Sequence, residues 1–164
     1  MLHHISIAVN QPQKVAEVLA EVFASTAKVA PFPPHPGSYM VFAGDEFGTA
    51  IELYPMGTVI VPDETQAGFQ QTQNASRYTP FHAAISVPIE LEALQQIGQR
   101  QGWHVRDCDR DGLFHVVEFW VENQLMLELL TPTMAKAYLR LFEPANFEAN
   151  LAQFMAFSAE PVLA

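Results

Sequence analysis

A chain of 164 residues that is 49% hydrophobic and 16% charged has enough apolar surface for a globular core and too little charge to remain disordered. Its length fits one compact domain or two small halves sharing a core, and at this size roughly two thirds of the unfolded surface can be buried without a covalent staple. The formal net charge of −10, from 8 Lys and Arg against 18 Asp and Glu, repels a nucleic-acid backbone and an anionic membrane alike, so neither is expected as a partner.

Residues 2–9, LHHISIAV, alternate in the manner of a half-buried strand, with Ile5, Ile7 and Val9 on one face and His4, Ser6 and Ala8 on the other. In the following KVAEVLAEVFA, Val15, Val18, Leu19, Val22 and Phe23 form one apolar helical stripe, with Asn10 placed to cap it. A short strand from residue 27 runs into Pro31, Pro33, Pro34 and Pro36, which favour an edge or a loop. Strands at 38–44 and 49–55, separated by the turn GDEFG, complete a β-α-β-β-β unit.

From Met56 to Thr79 no period is sustained, and the stretch reads as a linker or covering loop. The order then starts again. Residues 81–87, FHAAISV, alternate as a strand, and IELEALQQIGQRQG places Leu91, Leu94 and Ile97 in helical register before a closing glycine. Strands at 103–107, 114–122 and 125–131 follow. Beyond Pro132, Met134, Ala137, Tyr138, Leu141 and Phe142 recur at helical spacing until Pro144 interrupts the run ahead of a second helical segment. The expected organisation is therefore α+β: a first βαβββ module over 1–55, a linker over 56–79, a second module over 80–132 and C-terminal helices over 133–164, with the two modules forming a cupped mixed sheet.

The repeat extends to polar residues. His4-Ile-Ser-Ile-Ala-Val stands against His82-Ala-Ala-Ile-Ser-Val, and Ile51-Glu52-Leu53 against Leu127-Glu128-Leu129, at nearly equal separations within each module. Strand alternation sends Glu52 and Glu128 to the faces opposite their apolar neighbours, and puts His4 rather than His3 on the face away from the helix. If the two faces meet, two imidazoles and two carboxylates converge in one sheltered cavity, where unpaired carboxylates would be costly. His4, Glu52, His82 and Glu128 are a competent donor set for Zn, Ni, Co, Mn or Fe(II), with positions left for water or substrate.

In the order and spacing of LHHISIAV, AIELYP, FHAAISV and LMLELLTP, the sequence resembles the vicinal oxygen chelate superfamily, which includes glyoxalase I, extradiol dioxygenases and bleomycin-resistance proteins. The resemblance covers residues 2–131 and is closest in metal-ligand pattern to glyoxalase I, where a histidine of the first strand and a glutamate of the last strand of each module hold the metal. It implies a metal-dependent lyase or isomerase acting on a small carbonyl compound through a metal-stabilised enediolate, with Glu128 or Glu52 as the base and analogy pointing to Glu128. Other members of the superfamily suggest a sequestering protein without turnover, or a metal-dependent dioxygenase. Two departures stand out: Val121-Glu122-Asn123-Gln124 replaces the Asp-Pro-x-Gly turn common in the family, and a glutathione or CoA site would want basic groups, of which only Arg77, Arg100, Arg106 and Arg110 lie between the linker and the second hairpin.

Phe42, Tyr54, Phe114, His115 and Trp120 are candidates to line the cavity, and His115 for acid-base work. His35 and His104 receive no role. Cys108, the single cysteine, excludes an intramolecular disulfide. With no basic-then-apolar leader and no run of about eighteen apolar residues, the expected compartment is the cytoplasm. A homodimer is expected, since the linker is long enough to pair modules within one chain or between two.

Overall fold

The alternation of residues 4–9 is realised as β1 (His4–Val9), after which Pro12 opens α1 (Pro12–Phe23) at a position where a missing N–H costs little. In this computed structural model, residues 2–62, 67–110 and 112–146 are described. A short 3-10 turn (Ala24–Thr26) leads to β2 (Lys28–Pro31), β3 (Tyr39–Phe42) and β4 (Ala50–Pro55). The sheet order is β1-β4-β3-β2, with β1 parallel to β4 and the other pairs antiparallel. Val15, Val18, Leu19 and Val22 of α1 are buried together with Ile7, Val9, Val41, Ile51 and Leu53, so this face carries the core.

The second module repeats the plan with β7 (Ala84–Ser86), α2 (Leu91–Gln101), β8 (Val105–Asp109), β9 (His115–Val121) and β10 (Leu125–Leu130), in the order β7-β10-β9-β8. Gly102 closes α2 in the left-handed conformation expected of a helix-ending glycine. Leu94 and Ile97 pack with Trp103, Val117, Phe119, Leu127 and Leu129, and the cores of both modules join into one cluster. The C-terminal helix α3 (Pro132–Phe142), capped by the Thr131 hydroxyl, packs against β9 and β10. The further helical segment expected after Pro144 runs beyond the described residues. No helix of the described residues is long and apolar enough to cross a membrane.

Three expectations change. Residues 56–79 contain a hairpin, β5 (Thr58–Val61) with β6 (Gly68–Gln71), where a linker or loop was expected. One of its strands is glutamine-rich and carries little apolar signal, so the pairing is set by packing rather than by period. The first strand of the second module is shorter than 81–87 and leaves His82 outside it. Asn10 does not cap α1 with its own side chain.

The cap comes from the other module. The Glu122 carboxylate accepts hydrogen bonds from the Asn10 backbone N–H (2.6 Å), Asn10 Nδ2 (2.8 Å) and the Gln11 N–H (2.8 Å) at the start of α1. Glu122 adopts φ 51, a left-handed conformation that costs a non-glycine residue about 1 kcal/mol or more. The three bonds offset that cost and join the modules at one end. An ion pair between Arg100 of α2 and Glu21 of α1 adds a second, exposed contact.

Candidate functional site

Glu52 lies between Ile51 and Leu53, which are buried against α1, so its carboxylate projects from the opposite face of the sheet. The β1–β4 register places Ser6 beside Glu52 and His4 beside Ala50, so His4 is a diagonal neighbour of Glu52 on the same face. One carboxylate oxygen, Oε2, accepts hydrogen bonds from Ser6 Oγ (2.7 Å) and Tyr54 Oη (3.0 Å). Oε1 has no hydrogen-bond partner among the described residues, and neither does the His4 imidazole.

The Tyr54 ring that directs this bond is 4% exposed. It packs against Phe32, His35 and Phe69, the last contributed by the hairpin that covers this face. Burial, then the hydrogen bond to Glu52 and its negative charge, push the Tyr54 hydroxyl up to about 12 from an ordinary value of 10.0. Tyr54 therefore remains a neutral donor at physiological pH. His35, assigned no role from sequence, is part of this wall and contacts Ser38 Oγ through Nδ1 at 2.8 Å.

In the second module the corresponding carboxylate is already occupied. Glu128 faces Glu118 directly across the β9–β10 pair, and Arg110 Nη2 donates to Glu128 Oε1 (2.5 Å) and Glu118 Oε1 (3.0 Å). Trp120 Nε1 donates to Glu118 Oε2 at 3.3 Å. Burial, the largest single influence, raises the Glu118 pKa, but hydrogen bonds from Arg110 and Trp120 and the Arg110 charge outweigh it and hold the carboxyl below its ordinary range. Burial likewise pushes the Cys108 thiol up, helped by the Glu118 charge, so this cysteine is no activated nucleophile.

His82 is exposed, two positions before β7, with Nδ1 3.2 Å from the Pro80 carbonyl oxygen. It lines a cleft of about 260 Å³ with Tyr78, Trp120 and Met126. His4 instead lines a cavity of about 640 Å³ between the start of β1 and β7, with His3, Phe47, Ile85 and Ser86. Neither space is lined by Glu52 or Glu128.

His4 thus stands two positions before the residue that pairs with Glu52, and His82 two positions before Ala84, which pairs with Glu128; Glu52 keeps one oxygen uncommitted, whereas Glu128 is held by Arg110. Among the described residues, no three His, Cys, Asp or Glu side chains stand close enough to hold one ion. As a fit for a divalent cation the first pair is suitable, because both side chains present uncommitted donor atoms on one face. The second pair is not, while Arg110 holds Glu128.

Other candidates separate clearly. His115 is exposed and contacts Asp107 Oδ1 through Nδ1 at 3.1 Å, away from both carboxylate faces. Phe114 packs against Tyr138 and Phe142 of α3. Phe42 is on the Glu52 face by register but partly solvent-exposed. Sequence reasoning missed Arg110 and Glu118 as partners of Glu128, and Ser6 as a ligand of Glu52. Spacing by two residues from His4 would have found Ser6, whereas Arg110 sits in a turn that no period describes.

No family model matches the sequence, and a comparison with curated proteins gives no match. Solved structures do resemble the fold. The fosfomycin resistance protein FosX from Listeria monocytogenes is 15% identical, with a TM-score of 0.54 over 84% of this chain and 97% of that one. The same protein complexed with Mn(II) and sulfate ion gives 0.52 at 14% identity over 85% and 95% of the two chains. A putative glyoxalase family protein from Bacillus anthracis gives 0.50 at 14% identity over 79% and 92%. At these identities the likeness is one of fold.

Proposed function

We propose that this chain, which has the fold of the vicinal oxygen chelate superfamily, is an enzyme that removes a proton from carbon in a small carbonyl compound, with Glu52 as the base. The observation that carries this reading is the Glu52 carboxylate, whose Oε2 is held by two hydroxyls while Oε1 stays uncommitted, on the sheet face that also carries His4. A base needs one oxygen fixed and the other available within reach of the substrate. Ser6 and Tyr54 supply the fixing, and Phe32, His35 and Phe69 pack around the Tyr54 ring that carries the second donor. Glu128, engaged by Arg110, is the less available of the two carboxylates.

Of the four residues expected to bind a metal, His4 and Glu52 are the ones we assign to a divalent ion in this arrangement, His82 and Glu128 joining them only where Arg110 releases Glu128, and FosX from Listeria with Mn(II) supports a divalent ion on this fold. When bound, the ion would supply Lewis-acid stabilisation of negative charge on adjacent substrate oxygens. Since the two pairs lie apart in one chain, pairing of modules between two copies is the arrangement that would unite them, and the long connection after β4 permits it.

The test is direct. The untagged protein is purified, its metal measured by elemental analysis, and solvent deuterium incorporation followed by NMR in a panel of small carbonyl compounds, beginning with methylglyoxal and thiols. Glu52→Gln is expected to abolish exchange and Tyr54→Phe to slow it, while Glu128→Gln retains more activity than Glu52→Gln. Exchange that survives Glu52→Gln overturns the assignment of the base. Ligand binding without any exchange across the panel favours the sequestering reading instead.

A further inference from the structure

We propose that Lys28 holds an anionic group of the substrate, so that the small carbonyl compound deprotonated at Glu52 carries a carboxylate and lays its carbon chain over Met40 and Phe42. This deepens the reading that Glu52 is the base and rests on it.

The register of the first sheet carries the argument. Directly opposed residues of neighbouring strands share a face, so Ser6, Glu52, Met40 and Ala30 form one row across β1, β4, β3 and β2, and His4, Ala50, Phe42 and Lys28 form the next. Met40 is half-buried, Phe42 is partly exposed, and Lys28 is exposed on β2, the outermost strand. Two strand spacings and one row separate Glu52 from Lys28, which sets their backbones roughly 12 Å apart. The flexible lysine stem shortens that span, so a carboxylate held by its ammonium stands only a few bonds from a carbon at Glu52. Between the two charges the floor is apolar, as a short carbon chain requires.

The lysine is uncommitted. Arg100 and Arg110 are held in ion pairs and Arg77 lies over the Tyr78 ring, whereas Lys28 forms no ion pair among the described residues. Asp45, in the turn between β3 and β4, spends Oδ1 on the Phe47 and Thr49 N–H groups. The repeat supplies a contrast. In the second module the corresponding row reads Ala84, Glu128, Glu118 and Arg106, so the places of Met40 and Ala30 carry charges and Arg110 lies between the two carboxylates. That face is occupied by its own ion pairs, while the Glu52 face offers apolar surface with an unpaired cation at its edge. A chain of net charge −10 repels anions in general, so holding one takes a cation placed for it.

The experiment is an NMR titration of the full-length protein with levulinate, a keto acid, and with its uncharged methyl ester, for the wild type, Lys28→Met, Lys28→Arg and Lys28→Glu. Deuterium incorporation from solvent into both compounds is followed in the same samples, and thermal unfolding checks that each variant folds. Unit charges a few Å apart change an equilibrium several-fold even in water, so the wild type is expected to bind the acid at least about fivefold more tightly than the ester. Lys28→Met should remove that preference and Lys28→Glu reverse it, with the affinity for the ester unchanged. Lys28→Arg, which keeps the cation, should retain it. Added salt should erode the advantage of the acid in the wild type alone and in Lys28→Arg.

Equal affinity of the wild type for acid and ester, or failure of the acid to bind, overturns the proposal. Exchange that proceeds equally in both compounds without a charge preference leaves Glu52 as the base and overturns the anion subsite alone. A preference that survives in Lys28→Met also overturns it, since another group then holds the carboxylate. A preference lost in Lys28→Met, with no exchange in any sample, supports the anion subsite and counts against Glu52 as the base.

Discussion

Replacing Tyr54 by phenylalanine isolates the hydroxyl that holds Glu52, because the ring contacts with Phe32, His35 and Phe69 are retained. At neutral pH the variant loses one hydrogen bond to a carboxylate that keeps its second donor, Ser6, so we expect a destabilisation of about 1–2 kcal/mol. The alkaline range gives a sharper signature. The Tyr54 hydroxyl is raised in the folded state from 10.0 to about 12. Below pH 10 both states keep the proton and this contribution is fully present; as pH rises towards 12 the unfolded chain releases the proton first, and the contribution is lost. The loss across that window is on the order of 2–3 kcal/mol. Urea unfolding at pH 7, 10 and 11.5 should therefore show a steeper alkaline decline for the wild type than for Tyr54→Phe, with the remaining tyrosines and lysines common to both. Parallel declines in the two proteins would refute the placement of Tyr54 against Glu52.

Three further outcomes follow from particular contacts. Glu118→Gln should flatten the acid limb of stability: the Glu118 carboxyl lies below its ordinary value of 4.5 when folded, so its contribution is present above pH 4.5 and is lost as pH falls further, which unfolding at pH 3 and pH 6 will show. Glu122→Ala removes the carboxylate that caps α1 from the other module and should cost about 1–2 kcal/mol in chemical denaturation, whereas a change below a few tenths would mean that water replaces it without loss. Gly98→Ala should destabilise by about 1–3 kcal/mol despite alanine's better helix propensity, because a methyl group there presses into Val105 and comes within 3.1 Å of the Trp103 carbonyl oxygen; a rise in melting temperature would contradict that packing.

Much of the architecture was legible because burial imposes a period. Ile5, Ile7 and Val9, and again Leu127 and Leu129, alternate with polar residues since one face of each sheet packs on a helix, and that pattern by itself places Glu52 and Glu128 on the opposite faces. The duplicated order of elements followed from the same signal. The hairpin over 58–71 escaped notice because its second strand, Gly68–Gln71, is polar and finds its place by pairing with Thr58–Val61 and by stacking Phe69 on Tyr54. Similarly, the short β7 leaves His82 outside the ladder, although its sequence neighbours alternate like those of His4.

What the sequence alone determined is therefore which faces carry histidine and glutamate, since side-chain direction along a strand is a local property of the backbone. What only the tertiary structure decided is which partners those residues keep. Glu52 meets the hydroxyls of Ser6 and Tyr54, and Glu128 meets a guanidinium from a turn. Two positions equivalent in the repeat thus differ in chemistry, because an electrostatic partner reaches a carboxylate through space and from elements that no period connects to it.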